Sequence, residues 1–147
     1  MKKISALICG AVLATSAVCS ATVSPDIISI GKIVPGMAVS EVISMYGQPV
    51  SKKGDELKFQ GFTIEIDDKR PNIVEEIEVY GGTLATPNGV QIGQSLEVLN
   101  KTYGTADKVD EDFNEVEYEY YSHDYSKTIK FEVRNGVITK IKCKIQD

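Results

Sequence analysis

The strongest constraint in this sequence is a fourteen-residue frame that occurs twice. Gly36-Met37-Ala38-Val39-Ser40-Glu41-Val42-Ile43-Ser44-Met45-Tyr46-Gly47-Gln48-Pro49 is answered 57 positions later by residues 93–106. Gly36 aligns with Gly93, Val39 with Leu96, Val42 with Leu99, and Tyr46-Gly47 with Tyr103-Gly104. Val39, Val42, Ile43 and Tyr46 fall at i, i+3, i+4 and i+7, which puts them on one face of a helix. Gly47 supplies the left-handed backbone that ends such a helix, and Pro49 prevents its continuation. In the second copy the Ser95 hydroxyl can cap the first turn. The first copy has Ala38 there, and Glu41 supplies half of a capping box. A unit used twice predicts a duplicated fold.

Each frame is followed by segments of alternating polarity. After the first, Leu57 and Phe59 share a face, Gln60-Gly61 turns the chain, and Phe62, Ile64 and Ile66 return. Ile77 and Val79 then point inward, with Glu76 and Glu78 outward. After the second, Val116, Tyr118 and Tyr120 form one stripe and Ile129, Phe131 and Val133 another. Asn135-Gly136 is a strong hairpin signal, and beyond it Val137, Thr139, Ile141, Cys143 and Ile145 face one side and Lys140, Lys142 and Lys144 the other.

The chain therefore reads as an α+β protein of two tandem α-β-β-β repeats, about 28–82 and about 88–147. Gly81 to Gly89 reads as a connector within a single domain, 22–147. An oily sheet face needs a cover, so both helices are expected on one face of an antiparallel sheet of six or slightly more strands. The other face would be wet, with Glu117 and Glu119 on one strand and Lys140, Lys142 and Lys144 on another. Opposite charges on neighbouring strands would help fix register. Residues 51–55 read as a polar loop and 22–29 as a loose leader or first edge strand. Whether the strands form one sheet or two stays open, as does the oligomeric state.

Lys2 and Lys3 precede an apolar run, Ile4 to Val18, and small residues around Cys19-Ser20-Ala21. That is the pattern of a secretory signal peptide over 1–21, cut after Ala21. Retention as a membrane anchor and acylation at Cys19 are the alternatives. The mature chain would carry 14 basic and 21 acidic residues, a net charge of −7. That balance argues against nucleic acid as a partner. Cys143 would be the only thiol left, which excludes an intramolecular disulfide.

Little in the chain suggests catalysis. His123 is the only histidine, so a histidine-rich metal site is excluded. Asp67-Asp68 and Asp110-Glu111-Asp112 read as solvated loop acids rather than metal ligands. Ser122-His123-Asp124 contains triad residue types, but neighbours in a loop cannot adopt a triad's geometry. Gly81-Gly82 lacks the lysine and helix start of a phosphate loop. Cys143 falls on an apolar face, as a buried, inert thiol does. No cofactor, metal or catalytic residue is expected. Tyr80 and Tyr121 are placed outward by alternation, and Tyr125 lies in the loop with His123. These four are the candidate protein-contact residues, because exposed aromatics commonly anchor interfaces.

On Gly36-Met37, Glu41-Val42, Gly47 and Pro49, the frame resembles the BamE/SmpA/OmlA family of bacterial envelope proteins. That family reads Gly-Met-Thr, then Gln or similar, then Val, then Leu-Gly-x-Pro. Ala38 and Tyr46 depart from it, and the likeness covers 36–49 and, more loosely, 93–106. Two such units in tandem are similar to the β-lactamase inhibitory protein family, secreted proteins whose long strands present a concave face to an enzyme. The resemblance implies a non-catalytic binding module of the periplasm or cell exterior that meets another envelope or extracellular protein. Narrowed, it implies an inhibitor of a periplasmic or extracellular enzyme such as a β-lactamase or other hydrolase. A small-molecule or cation-responsive enzyme is the third class.

Overall fold

The computed structural model describes residues 23–147, so the expected leader and Cys19 lie outside the described residues. Helix α1 (Val39–Tyr46) is followed by β1 (Ser51–Lys53), β2 (Glu56–Lys58), β3 (Phe62–Ile66) and β4 (Val74–Val79). Helix α2 (Leu96–Tyr103) is followed by β5 (Lys108–Asp112), β6 (Glu115–Tyr121), β7 (Lys127–Arg134) and β8 (Val137–Ile145). The eight strands make one sheet in the order β1-β2-β3-β4-β8-β7-β6-β5. Every pairing is antiparallel.

Three strands per helix is thus corrected to four. The additional strands are the two edges of the sheet: β1, within the stretch read as a polar loop, and β5, which contains Asp110-Glu111-Asp112. Every residue of both is exposed. An edge strand that buries neither face needs no alternation, and charged edges discourage pairing with other chains.

Direct cross-strand partners share a face of a sheet. One inward row runs Leu57, Ile64, Ile77, Cys143, Ile129, Tyr120 across six strands. The next runs Phe62, Val79, Ile141, Phe131, Tyr118. Val42 of α1 and Leu99 of α2 are fully buried in the same core; burial of one such side chain contributes about 1.5–3 kcal/mol. The Tyr46 ring meets Phe62 edge-on at 5.1 Å, and the Tyr103 ring lies 5.0 Å from Phe131.

Both helices begin the same way. The Gly36 amide donates to the Val74 carbonyl at 2.8 Å, Val74 donates to Met37 at 2.9 Å, and Val39 donates to Asn72 at 2.8 Å. Before α2, Gly93 donates to Ile138 at 2.8 Å, Ile138 to Gln94 at 2.8 Å, and Leu96 to Gly136 at 2.9 Å. Gly36 and Gly93 have φ of 100° and 90°, a backbone that favours glycine. The caps differ as the residues dictate. Ser95 accepts from the Val98 amide at 3.4 Å, whereas the Ala38 amide donates to the Glu41 carboxylate at 3.1 Å. Register shifts in both β3–β4 and β7–β8, after Glu65 and Glu132. The extra residues are Glu75 and Thr139; the shift at Thr139 corrects the expected inward stripe at the start of β8, where Ile138 is buried and Val137 is 40% exposed.

The segment before α1 is neither a loose leader nor an edge strand. Ile28, Ile30 and Ile33 are fully buried. Gly31 and Lys32, both at positive φ, turn the chain so that Ile30 and Ile33 pair. The Tyr46 hydroxyl donates to the Gly31 carbonyl, and the Gly31 amide donates to Ala85 at 2.9 Å. The segment and the 81–92 connector thus brace each other beside the end of α1.

Candidate functional site

The outward rows are charged. One runs Thr63, Glu78, Lys142, Lys130, Glu119, Lys108. The expected opposition of Glu117 and Glu119 to the β8 lysines is corrected, because β7 lies between β6 and β8. Lys142 instead reaches Glu76 and Glu78 of β4, each at 3.2 Å. Lys140 reaches Glu132 of β7 at 3.3 Å, and Lys144 reaches the bulged Glu75 at 3.0 Å. Glu117 and Glu119 pair with Lys130 of β7 at 2.8 and 3.6 Å. The acid-rich β4 and lysine-rich β8 form a charge-matched seam. The lysines at its centre are about 30% exposed, so solvent screens their pairs less than those of fully exposed ions.

Across β8, β7 and β6 this face sinks into an open trough of about 560 Å³. Lys142, Lys130, Thr128 and Glu119 line its floor, and Tyr121 and Gln146 line it near the strand ends. Thr128 and Glu119 are buried. The Gln146 side-chain amide donates to the Thr128 hydroxyl at 3.1 Å.

At the Tyr121 end, the β6–β7 connection gathers three of the four expected contact residues. The Tyr121 and Tyr125 rings are 6.1 Å apart, Tyr125 is 63% exposed, and His123 is exposed between them in sequence. Ser122-His123-Asp124 builds this turn and is not a triad. Buried Ser122 donates its hydroxyl to Asp124 at 2.6 Å and accepts from the Lys127 amide at 3.0 Å. Asp124 also accepts from the Ser126 amide at 3.0 Å and hydroxyl at 2.7 Å. These bonds, led by Ser122, hold its carboxyl far below the usual aspartate range. Val23 pins the turn: its amide donates to Tyr121 and its carbonyl accepts from His123, both at 3.0 Å.

Tyr80 does not join this group. It lies just past β4, its hydroxyl 3.5 Å from the Phe59 carbonyl it donates to, and β8 and β7 separate β4 from β6. A residue the sequence reading missed is Phe113, which is 94% exposed in the β5–β6 turn. Its amide donates to the Asp112 carboxylate at 2.6 Å, which fixes the turn locally. Glu115 at the start of β6 accepts from Arg134 at the end of β7 at 2.9 Å. A lone aromatic inside an acidic turn was the available signal.

Asp67 is not solvated, contrary to the reading of Asp67-Asp68 as loop acids. It is buried, accepts from the Lys69 and Arg70 amides at 2.8 Å each, and pairs with the Arg70 guanidinium. The guanidinium, first, and the two amides hold its carboxyl below the usual range. Cys143 is fully buried, and burial pushes its thiol well above its ordinary value. Among the described residues, no group of three or more His, Cys, Asp or Glu is arranged to hold a metal ion.

No family model and no curated protein matches the chain. Solved structures match it in fold. A DUF4309 family protein, YjgB, from Bacillus subtilis is 17% identical with a TM-score of 0.54, over 74% of this chain and 78% of that one. An extracellular protein containing an SCP domain, from Bacillus anthracis, is 8% identical with a TM-score of 0.50, over 76% of this chain but 44% of that one. This chain therefore matches less than half of that longer protein. A Streptococcus mutans protein provisionally described as a beta-lactamase inhibitor is 15% identical, over 74% of this chain and 83% of that one. Its TM-score is 0.34, too loose an alignment to bear on function. At these identities the likenesses speak to the fold alone.

Proposed function

We propose that this chain is an exported, non-catalytic binding module that meets another protein in the periplasm or outside the cell. Residues 22–147 form a single domain of two copies of one helix-led unit, with both helices on the same face of the sheet. Three duplicated hydrogen bonds before each helix support the duplication. Phe62 and Phe131 lie in one inward row, and Tyr46 and Tyr103 pack on them; that supports the shared face.

The observation that carries the functional reading is the asymmetry of the sheet. Its apolar rows are covered, while its charged rows stay open and are bounded at one end by Tyr121, His123 and Tyr125. The Ser122 and Asp124 side chains are spent on holding the turn, which favours a contact surface over a reaction centre. Tyr80 offers a separate, smaller contact. Membrane association would come only through acylation at Cys19.

The narrower reading, inhibition of a periplasmic or extracellular hydrolase, is favoured by Phe113. A nearly fully exposed aromatic at a hairpin tip can bury its ring in a cleft. Mature chain assayed against purified β-lactamases, proteases and cell-wall hydrolases tests it. A slowed enzyme that recovers with Phe113→Ala supports inhibition. Unchanged rates throughout remove it and leave the broader reading to affinity capture with wild-type and Tyr125→Ala protein. Capture of the same proteins by both would remove the proposed contact surface.

A further inference from the structure

We propose that the trough on the open sheet face is a binding site for a neutral saccharide. Its charges exclude the simpler ligands. Lys130 lies 2.8 Å from Glu117, Lys142 lies 3.2 Å from Glu76, Lys144 lies 3.0 Å from Glu75, and Lys108 lies 2.6 Å from Asp110. A free anion would have to displace a carboxylate already held by each lysine. A free cation would meet Glu76 and Glu119 already engaged by Lys142 and Lys130. An apolar ligand would strip water from these ions without replacing its hydrogen bonds.

The remaining fit is a neutral molecule dense in hydroxyls. Each hydroxyl can accept from an ammonium group and donate to a carboxylate, so it can bridge a paired Lys and Glu without separating them. Exposed Gln146, whose side-chain amide donates to the buried Thr128 hydroxyl at 3.1 Å, adds an uncharged polar group. Tyr121 lines the trough, and an aromatic side chain there gives a sugar an apolar surface to pack on. The volume of about 560 Å³ falls within the span of small-ligand sites, about 300–1,000 Å³. The trough shares the open face and Tyr121 with the protein-contact reading, but Gln146→Ala probes the saccharide alone and Tyr125→Ala the protein contact, so the two can fail separately.

The test is an NMR titration of the full mature chain with triacetylchitotriose and with maltotriose. Glucosamine and N-acetylneuraminic acid serve as charged controls. The expected result is saturable binding of at least one neutral sugar with a Kd of about 1 mM. Shifts should be confined to Tyr121, Thr128, Lys130, Lys142 and Gln146. Tyr121→Ala and Gln146→Ala should each weaken it about tenfold, with spectra that remain folded, while Phe113→Ala leaves it unchanged. If Tyr121→Ala disturbs the fold, Gln146→Ala alone decides. The proposal is overturned by no saturable shift with either neutral sugar at about 20 mM. It is equally overturned by shifts centred outside the trough, by tighter binding of a charged control, or by undiminished binding to the folded Gln146→Ala protein.

Discussion

The two helix-led halves start alike and finish differently. Each opens with a positive-φ glycine bridged to its own last strand, and each closes its helix with a tyrosine over an inward phenylalanine. Their strands then diverge: β1 to β4 have 3, 3, 5 and 6 residues, whereas β5 to β8 have 5, 7, 8 and 9. The extra length carries the Tyr121–Tyr125 turn, the Phe113 hairpin and most of the trough. Charge diverges as well. Counting from the bridged Val74 and Ile138, Glu76 and Glu78 of β4 stand where β8 has Lys140 and Lys142. Two identical units packed this way would set like charges against each other; opposite ones make the central seam attractive. The difference teaches that the shared part of each half is scaffold, while the divergent part is seam and surface.

The largest effect should come from removing what the halves share. Phe131→Ala and Phe62→Ala should each cost about 3–5 kcal/mol, read from urea unfolding. Because one core spans both halves, each variant should move a single common transition. Two resolved transitions would mean that the halves are separate cores.

Next come the glycines, which separate crowding from backbone conformation. A Cβ at Gly31 would sit 2.6 Å from the Tyr46 hydroxyl and 2.8 Å from Leu84, at φ +57°, whereas Gly93 at φ +90° has nothing within 4 Å. Gly31→Ala should cost about 3 kcal/mol and Gly93→Ala about 1–2 kcal/mol. Equal costs would show that the brace beneath α1 is slack.

The seam ranks third. Lys142→Glu should cost about 2 kcal/mol, discounted for its partial exposure, and adding Glu76→Lys should recover about half. No recovery would mean that the β4–β8 register owes nothing to charge.

The smallest effect is in the turns. Asp67 in the first half and Asp124 in the second both have folded pKa values below the ordinary 3.8. Their contribution is therefore complete above the unfolded value and disappears as pH falls through the lower folded one. Asp67→Asn and Asp124→Asn should flatten the acid limb of a stability–pH profile and reduce the gap from wild type at low pH. A gap from wild type that stays constant from neutrality down would contradict the depressed values.

The parts legible from sequence were those with a period. The helical stripes and the Gln60-Gly61 and Asn135-Gly136 turns announced themselves through local chemistry. Alternation marked β3, β7 and much of β8. β1 and β5 gave no such signal, since their only constraint is backbone pairing with a neighbour. The adjacency of β4 and β8 is a long-range choice, so Lys142 could be placed on the outer face but not beside Glu76. Asp67 resembled any loop acid because its burial depends on Arg70 folding back three residues later. Of the candidate site, Tyr121, His123 and Tyr125 came together because they are close in the chain. Tyr80 did not, because alternation gives a face but not a location on it.

The central claim is that contact occurs through the open face and its rim rather than through the helices. Photo-crosslinking residues placed one at a time at Tyr125, Phe113 and the exposed Lys101 of α2, in the living source cell, test it most directly. The expected result is one discrete adduct from Tyr125 or Phe113 and none from Lys101. An adduct from Lys101 alone would contradict it.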